Sequence, residues 1–213
     1  MVKKNPLTFY LIDHPLVKRD ITLLRDKKTK VELFRTAVRR LSNILAIEIN
    51  KNLELKTVSV ETPLEKTKGH QINQELVLIP VLRAGLSMVS GFLDVIPESK
   101  VGHIGLQRNE ETLLPYEYYF KIPKIKNNSR IILLDPMLAT GGSASEALKY
   151  IKKKNGKEII FACLVAAPEG IKKINKEHPD VKIFGAALDR KLNSKGYILP
   201  GLGDAGDRTF GTL

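Results

Sequence analysis

The chain has 213 residues, enough to bury the core of one α/β domain and too few for two of ordinary size. Its 35 lysines and arginines outnumber its 23 acidic residues, which gives a formal net charge of +12 at pH 7. Aromatic residues are scarce and tryptophan is absent, which disfavours a nucleic-acid surface of arginines interleaved with aromatic rings. The charge is therefore interpreted as a lysine-rich solvated surface, and no nucleic-acid partner is expected.

The single cysteine, Cys163, lies in an apolar run and is expected to be a small buried side chain without a disulfide partner. This cysteine usage fits a reducing compartment, so a cytoplasmic location is expected. The apolar run at residues 7–12 is too short for a signal peptide or a membrane span, so no membrane partner is expected. The four histidines show no metal-ligand spacing.

The chain begins with a predicted strand at residues 7–12 and a helix that starts near Pro15. A longer helix follows, with one apolar face formed by Phe34, Ala37, Val38, Leu41, Ile44 and Leu45. Alternating residues between 53 and 72 predict a projecting β-hairpin, with turn signals at Thr62-Pro63 and at Lys68-Gly69.

Strands and helices then alternate. The predicted strands cover residues 76–81, 101–107, 116–122, 130–134, 158–166 and 181–187, and the predicted helices cover 84–95, 143–154 and 168–178. Near-continuous apolar strands separated by amphipathic helices predict an α/β fold with a mostly parallel sheet flanked by helices. In such sheets, ligands bind beyond the carboxyl ends of the strands.

The most informative motif is residues 135–143, where an apolar strand leads into an acid, a Thr-Gly-Gly-Ser turn and a helix. The first N–H groups of a helix lack internal partners and lie at its positive end, so this turn suits a phosphate. The alternative is an ordinary turn in which Ser143 is the helix N-cap. Asp135 favours the binding site, because an acid at a strand's carboxyl end suits a sugar hydroxyl or a hydrated magnesium ion.

Two arginines follow other strands of the predicted sheet. Arg83 lies where a strand ends and a helix begins, a position that is unfavourable for a cation unless an anion lies between the two. Arg108 begins a charged loop and could reach the same anion from another side. Without other evidence, each is also consistent with a solvated arginine.

Residues 201–206 match the G-x-G-x-x-G pattern, which could indicate a dinucleotide site. That fingerprint must open a helix within a βαβ unit, and here a proline precedes it and only seven residues follow it. We therefore interpret residues 197–207 as an irregular glycine-rich segment whose backbone could pair with a planar polar ligand.

These motifs together resemble the uracil phosphoribosyltransferases. The resemblance runs from His-Pro-Leu-Val at residues 14–17 to the carboxyl end, and it is strongest at residues 135–143 and 196–207. Arg83 and Arg108 also match signature positions of the family. The resemblance implies the type I phosphoribosyltransferase fold, with a hood over the active site and a β-arm used in dimers.

The implied reaction joins uracil to 5-phosphoribosyl 1-diphosphate, giving UMP and diphosphate. By resemblance, Arg83 and Arg108 bind the diphosphate, and Asp204 faces the ribosyl donor; these three are the expected catalytic residues. Uracil is expected to bind Ile198 and the backbone of Gly203, Asp204 and Ala205. The ribose and its 5-phosphate are expected to bind Asp135, Pro136, Met137, Leu138, Ala139, Thr140, Gly141, Gly142 and Ser143.

The wider superfamily usually places two adjacent acids at the end of this strand, whereas Asp135 is followed by Pro136, a proline that the uracil enzymes share. A single carboxylate suits a Mg²⁺ ion held chiefly by the ribosyl diphosphate and water. Which group takes the N1 proton of uracil is left open, with Asp204 a candidate by position.

A single domain is expected, with N-terminal helices and a hairpin arm at about 1–75, a core sheet at about 76–187 and a base-binding hood at about 188–213. Assembly as a homodimer or homotetramer and an allosteric response to GTP are left open. So are three other functions: a phosphoribosyltransferase for another base, an RNA-binding regulator of pyrimidine genes on the same fold, and a dinucleotide-binding module. Residues 197–207 argue against the first, whereas the charge of +12 keeps the second open.

Overall fold

The structure is a computed structural model that describes the backbone of residues 2–5, 9–108 and 115–212 and the side chains of residues 9–106 and 118–212. The helices are α1 (Pro15–Arg25), α2 (Val31–Ile49), α3 (Leu86–Val95), α4 (Gly142–Lys153), α5 (Pro168–Glu177) and α6 (Ala205–Phe210). The strands are β1 (Val2–Asn5), β2 (Phe9–Ile12), β3 (Leu55–Glu61), β4 (Lys66–Ile72), β5 (Glu75–Leu82), β6 (Lys100–Val101), β7 (His103–Arg108), β8 (Pro115–Lys121), β9 (Ser129–Leu134), β10 (Met137–Leu138), β11 (Glu158–Ala166), β12 (Lys182–Leu188), β13 (Lys191–Leu192) and β14 (Ile198–Leu199).

Ten strands form one sheet, whose main order is β1-β2-β12-β11-β9-β5-β7-β8. Every neighbouring pair from β2 to β7 along this order is parallel, and the outer pairs β1–β2 and β7–β8 are antiparallel. All six residues of β9 and the last eight of β11 are buried, as expected for strands covered on both faces. The predicted mostly parallel sheet is confirmed.

Helices cover both faces of this sheet. Apolar side chains of α1, α2 and α3 belong to one core cluster, and those of α4 and α5 belong to the other. The predicted apolar face of α2 is buried except for Ile44, which lies at its edge and is partly exposed. Cys163 is fully buried in β11, as predicted. No helix in the described part of the chain is both long and apolar enough to cross a bilayer.

β3 and β4 pair antiparallel and form a separate two-stranded sheet, which confirms the hairpin. Thr62 and Pro63 lie between the two strands, as predicted. The turn predicted at Lys68 and Gly69 is wrong, because both residues lie within β4. A methyl group on Gly69 would lie only 2.6 Å from Cγ2 of Val60, so this glycine permits close packing across the hairpin.

Several short elements differ from the predictions. The strand predicted at 101–107 is divided by Gly102 into β6 and β7, and β1, β10 and β13 were not predicted. Residues 197–207, predicted to be irregular, contain β14 and the first turn of α6. Elements of two to six residues carry too little periodic pattern to be recognised in a sequence.

Candidate active site

The chain reverses its direction across the sheet between β5 and β9. From β5 it continues through α3 to β7 on one side, and from β9 it continues through α4 to β11 on the other. The two strands are parallel neighbours, paired as far as Pro80 and Leu134, so their carboxyl ends open at the same edge. Such a switch point forms a crevice where open α/β sheets bind ligands. Arg83 and Asp135 lie on either side of this crevice.

A cavity of about 110 Å³ lies between β9 and α4, lined by Asp135 and residues 137–144. Gly141 is the N-cap of α4 and has a φ of +78°, a conformation that favours glycine. The interpretation of Ser143 as an N-cap is therefore wrong, because the helix begins one residue earlier, at Gly142. The N–H groups of residues 143 and 144 have no acceptor within the helix, and this geometry suits an anion.

Asp135 is partly exposed, and its Oδ1 accepts a hydrogen bond from the N–H of Met137 at 3.2 Å. Burial of the carboxyl group and the nearby charge of Asp204 raise the pKa of Asp135 to about 7, while the hydrogen bond acts in the opposite direction. Without a ligand, this carboxyl group therefore keeps its proton to a higher pH than an ordinary aspartate does. A ligand that offers hydroxyl groups or a cation to the carboxylate would favour its ionised form.

The guanidinium group of Arg83 is largely exposed and donates to Oδ1 of Asp207 at 3.2 Å. The Thr212 hydroxyl donates to the same oxygen at 2.6 Å. These two hydrogen bonds, with that of Thr212 the stronger, hold the pKa of Asp207 below its usual range. Arg83 is thus held at the crevice by a carboxylate of the C-terminal helix, α6.

The turn that carries Arg83 packs directly against β9. A methyl group on Gly85 would overlap the carbonyl oxygen of Leu134, the residue before Asp135. Glycine therefore allows the two strand ends to approach at backbone distance.

Arg108 is the last residue of β7, which pairs with β5 and lies next to the same crevice. Its side chain and residues 109–112 of the predicted charged loop lie outside the described residues. The expected contact of Arg108 with diphosphate therefore stays a prediction.

Residues 197–207 have a defined conformation. Gly201 and Gly203 have positive φ values of +65° and +81°, and Asp204 is the N-cap of α6, where its carboxylate accepts the N–H of Asp207 at 2.9 Å. Gly203 and Asp204 are exposed, whereas Ile198 and Ala205 are buried. The backbone of the exposed pair is accessible to a ligand, and the buried pair anchors the segment.

A buried ion pair holds this segment against the body of the protein. Asp189 follows β12 and accepts two hydrogen bonds from Arg25 of α1, at 2.5 and 3.0 Å. The same carboxylate accepts the N–H of Gly201 at 2.8 Å, and Arg25 donates to the Gly201 carbonyl at 3.0 Å. Both polar groups of the Gly201 backbone are thus fixed by one charged pair.

Arg208 anchors the other end of the segment. Its guanidinium donates to the carbonyls of Leu24, of Leu202 at 2.7 Å and of Asp26 at 2.7 Å. It also lies 4.5 Å from the ring centroid of Phe34, and its burial lowers its pKa. The short helix α6 is therefore stabilised by tertiary contacts with α1 and α2.

Residues 196–207, called the C-terminal segment below, lie close to both other parts of the crevice. A methyl group on Gly206 would lie 3.7 Å from Cβ of Ala84, next to Arg83. A methyl group on Gly196 would lie 3.6 Å from Cγ2 of Thr140. The structure thus brings Arg83, residues 135–143 and residues 197–207 together around one crevice.

In the described part of the chain, no three His, Cys, Asp or Glu side chains form a metal-binding group.

Asp189 and Arg25 were not recognised from the sequence. Asp189 carried a usable signal, since it is an acid directly after an apolar strand, as is Asp135. Arg25 carried none, because it lies on a helix 164 residues away from its partner.

Comparison with known proteins identifies the family. The model of the family described as uracil phosphoribosyltransferase matches residues 11–212. A uracil phosphoribosyltransferase of Salinibacter ruber is 52% identical over 202 residues, covering 95% of this chain and 96% of the relative. One of Bacillus licheniformis is 53% identical over 204 residues, covering 95% and 98%.

Two solved structures are similar to this chain in fold. The AQ2163 protein of Aquifex aeolicus superposes with a TM-score of 0.90 at 40% identity, covering 95% of this chain and 97% of that one. The adenine phosphoribosyl transferase of Trypanosoma brucei has a TM-score of 0.59 at 12% identity over 88% and 87% of the two chains, which shows a shared fold.

These matches do not favour the alternatives of an RNA-binding regulator, a dinucleotide-binding module or an enzyme for another base. The chain belongs to the uracil phosphoribosyltransferase family and is a pentosyltransferase that joins uracil to 5-phospho-α-D-ribose 1-diphosphate, giving UMP and diphosphate.

Proposed function

We propose that the crevice between β5 and β9 is where this transfer takes place. Residues 135–143 hold the ribose and its 5-phosphate, and Arg83 and Arg108 bind the diphosphate. Uracil binds Ile198 and the backbone of Gly203, Asp204 and Ala205. The observation that supports this assignment best is the hydrogen bond between Arg83 and Asp207, together with the closeness of Gly196 to Thr140, because donor and base must meet at C1 of the ribose.

The chemistry of the reaction agrees with this assignment of residues to the diphosphate, the ribose and uracil. As the bond between C1 and the diphosphate breaks, positive charge develops on the sugar and negative charge on the leaving group. Arg83 stabilises the leaving group, while the carboxylates of Asp135 and Asp204 lie on the side of the sugar. Backbone donors and acceptors suit uracil, an uncharged base that needs several hydrogen bonds.

We propose that Mg²⁺ binds with the ribosyl donor. The ion is held chiefly by the diphosphate and by water, because Asp135 is followed by Pro136 and supplies a single carboxylate at the end of β9. When bound, the ion supplies positive charge that offsets the charge of the diphosphate. Asp204 is also the candidate acceptor for the N1 proton of uracil, since it is exposed at the base site.

We further propose that the 213 residues form one catalytic domain, with the divisions at about residues 75 and 187, and that the protein is cytoplasmic. Assembly as a homodimer or homotetramer through the β3–β4 hairpin and activation by GTP belong to the same proposal. Sedimentation of the purified protein and assays with and without GTP test these two points.

The substrate assignment is tested by assaying diphosphate release from the ribosyl donor and Mg²⁺ with uracil, cytosine, orotate, adenine or hypoxanthine supplied separately. Uracil alone is expected to support release, because the relatives that match this chain over 95% of its length are uracil phosphoribosyltransferases and the backbone of the base segment suits an uncharged base. A reaction without a base provides the background. Release with another base and none with uracil would contradict the assignment.

Arg83→Ala and Asp204→Ala are each expected to lower kcat by roughly a hundredfold, because each removes one transition-state contact. Steady-state assays with uracil and the ribosyl donor measure the effect. Arg39→Ala is the matched control, since Arg39 pairs with Asp94 between α2 and α3 and does not line the cavity beside Asp135. Wild-type turnover in both site variants would show that the site has been placed wrongly.

Asp135→Asn is expected to lower turnover and also to stabilise the ligand-free protein at high pH. The folded pKa of Asp135 is raised to about 7, so the unfolded chain loses this proton first and folding stability falls as pH rises from 4 to 7. The asparagine side chain does not ionise, so the variant does not lose stability in this way. Its free energy of unfolding relative to that of the wild type should therefore rise by up to roughly 4 kcal/mol between pH 4 and pH 8. Denaturant unfolding at pH 4, 6 and 8 measures the difference. A difference that does not change with pH would mean that the carboxyl group is ionised normally.

A further inference from the structure

A buried polar cluster joins the first turns of α4 to the end of α5. Ser145 is 1% exposed and His178 is 4% exposed, so neither is available to a substrate. The Ser145 hydroxyl donates to the carboxylate of Glu177, and Nε2 of His178 lies 3.0 Å from the same hydroxyl oxygen. Lys173 donates to the other carboxylate oxygen of Glu177 at 2.7 Å.

The hydrogen bonds determine which side chain of the cluster donates a proton and which accepts one. Hydrogen bonds from Lys173 and from Ser145 lower the pKa of Glu177 to about 2, so this carboxylate is ionised and can only accept. The Ser145 proton is therefore directed at Glu177, and only lone pairs of the hydroxyl face His178. Nε2 of His178 also lies 3.1 Å from the Ser145 carbonyl oxygen. It must carry a proton, because both of its neighbours there are acceptors.

Ser145 is also the residue that closes the first turn of α4, since its N–H donates to the carbonyl of Gly141 at 2.9 Å. The N–H groups before it in the helix are those that lack helical acceptors. A hydrogen-bonded side chain at this position therefore restrains the helix turn that lines the cavity.

The other end of α5 contacts the same loop through its backbone. A methyl group on Gly170 would lie 2.5 Å from the carbonyl oxygen of Ala139, and one on Gly141 would lie 3.0 Å from the carbonyl oxygen of Gly170. α5 is thus in contact with residues 139–141 at its start and with Ser145 at its end, so it fixes the position of the loop relative to α4.

We propose that Ser145 and Glu177 are positioning residues for the 5-phosphate of the ribosyl donor. They act through the first turn of α4 and do not touch the substrate. This proposal rests on the assignment of residues 135–143 to the ribose 5-phosphate. Losing the Ser145–Glu177 hydrogen bond lets the turn move, which weakens binding of the 5-phosphate group more than binding of diphosphate.

The test compares competitive inhibition by ribose 5-phosphate and by diphosphate in Ser145→Ala. Inhibition by ribose 5-phosphate is expected to weaken about tenfold, in line with the loss of one hydrogen bond to a charged group, while inhibition by diphosphate stays within about twofold. The KM for the ribosyl donor should rise with kcat largely retained. Glu177→Gln keeps an acceptor oxygen and should show a smaller change of the same kind, and it replaces Ser145→Ala if that variant does not fold.

Lys152→Ala is the matched control, because Lys152 bonds Asp180 at 2.5 Å and joins α4 to the chain after α5 away from the first turn. Equal weakening of both inhibitors in Ser145→Ala, or a response no larger than that of Lys152→Ala, overturns the positioning role. Thr140→Ala distinguishes a failure of the positioning role from a failure of the phosphate-site assignment. If it weakens ribose 5-phosphate binding and Ser145→Ala does not, only the positioning role fails; if Thr140→Ala has no effect, the assignment of the phosphate site fails and the positioning role with it.

Discussion

The carboxylate of Asp189 determines where the C-terminal segment lies, and the rest of the proposed active site depends on that placement. It is buried at the end of β12 and binds both Arg25 and the N–H of Gly201. A buried carboxylate is costly unless its oxygens are fully hydrogen-bonded, and the bidentate arginine together with the backbone donor meets this condition. Moving Gly201 would remove one hydrogen bond from the buried carboxylate of Asp189 and one from Arg25, so the glycine turn has one favoured position.

From that anchor, α6 reaches back across the crevice to the opposite strand end. Its Asp207 holds Arg83, and Gly206 packs against Ala84. The arginine that we assign to the diphosphate is therefore positioned by the segment that we assign to uracil. The same crevice contains Asp135, whose raised pKa records the cost of placing a carboxyl group where a sugar is expected to bind. Such a cost is typical of sites that favour function over stability.

Local patterns in the sequence were sufficient to predict the mostly parallel sheet and the strand, turn and helix at residues 130–154. Buried strands have continuous apolar runs, and the loop at residues 135–143 combines a strand, an acid and glycines within nine residues. What could not be predicted depends on distant partners. α6 has only six residues and is stabilised by Arg208, which donates to carbonyls of α1 and of the loop after it. Arg25 acquires its role from Asp189, far away along the chain, and the cluster of Ser145, Glu177 and His178 exists only when α4 packs on α5.

The most direct measurement is the KM for uracil of Asp189→Asn, compared with its KM for the ribosyl donor. The asparagine oxygen can still accept the N–H of Gly201, but the charge that holds Arg25 is lost, so the base segment is expected to move while residues 135–143 stay in place. We predict a rise of about tenfold in the KM for uracil, with the KM for the donor changed by less than about twofold, and no comparable change in Asp94→Asn. An unchanged KM for uracil, or an equal rise in both values, would contradict the dependence of the base site on Asp189.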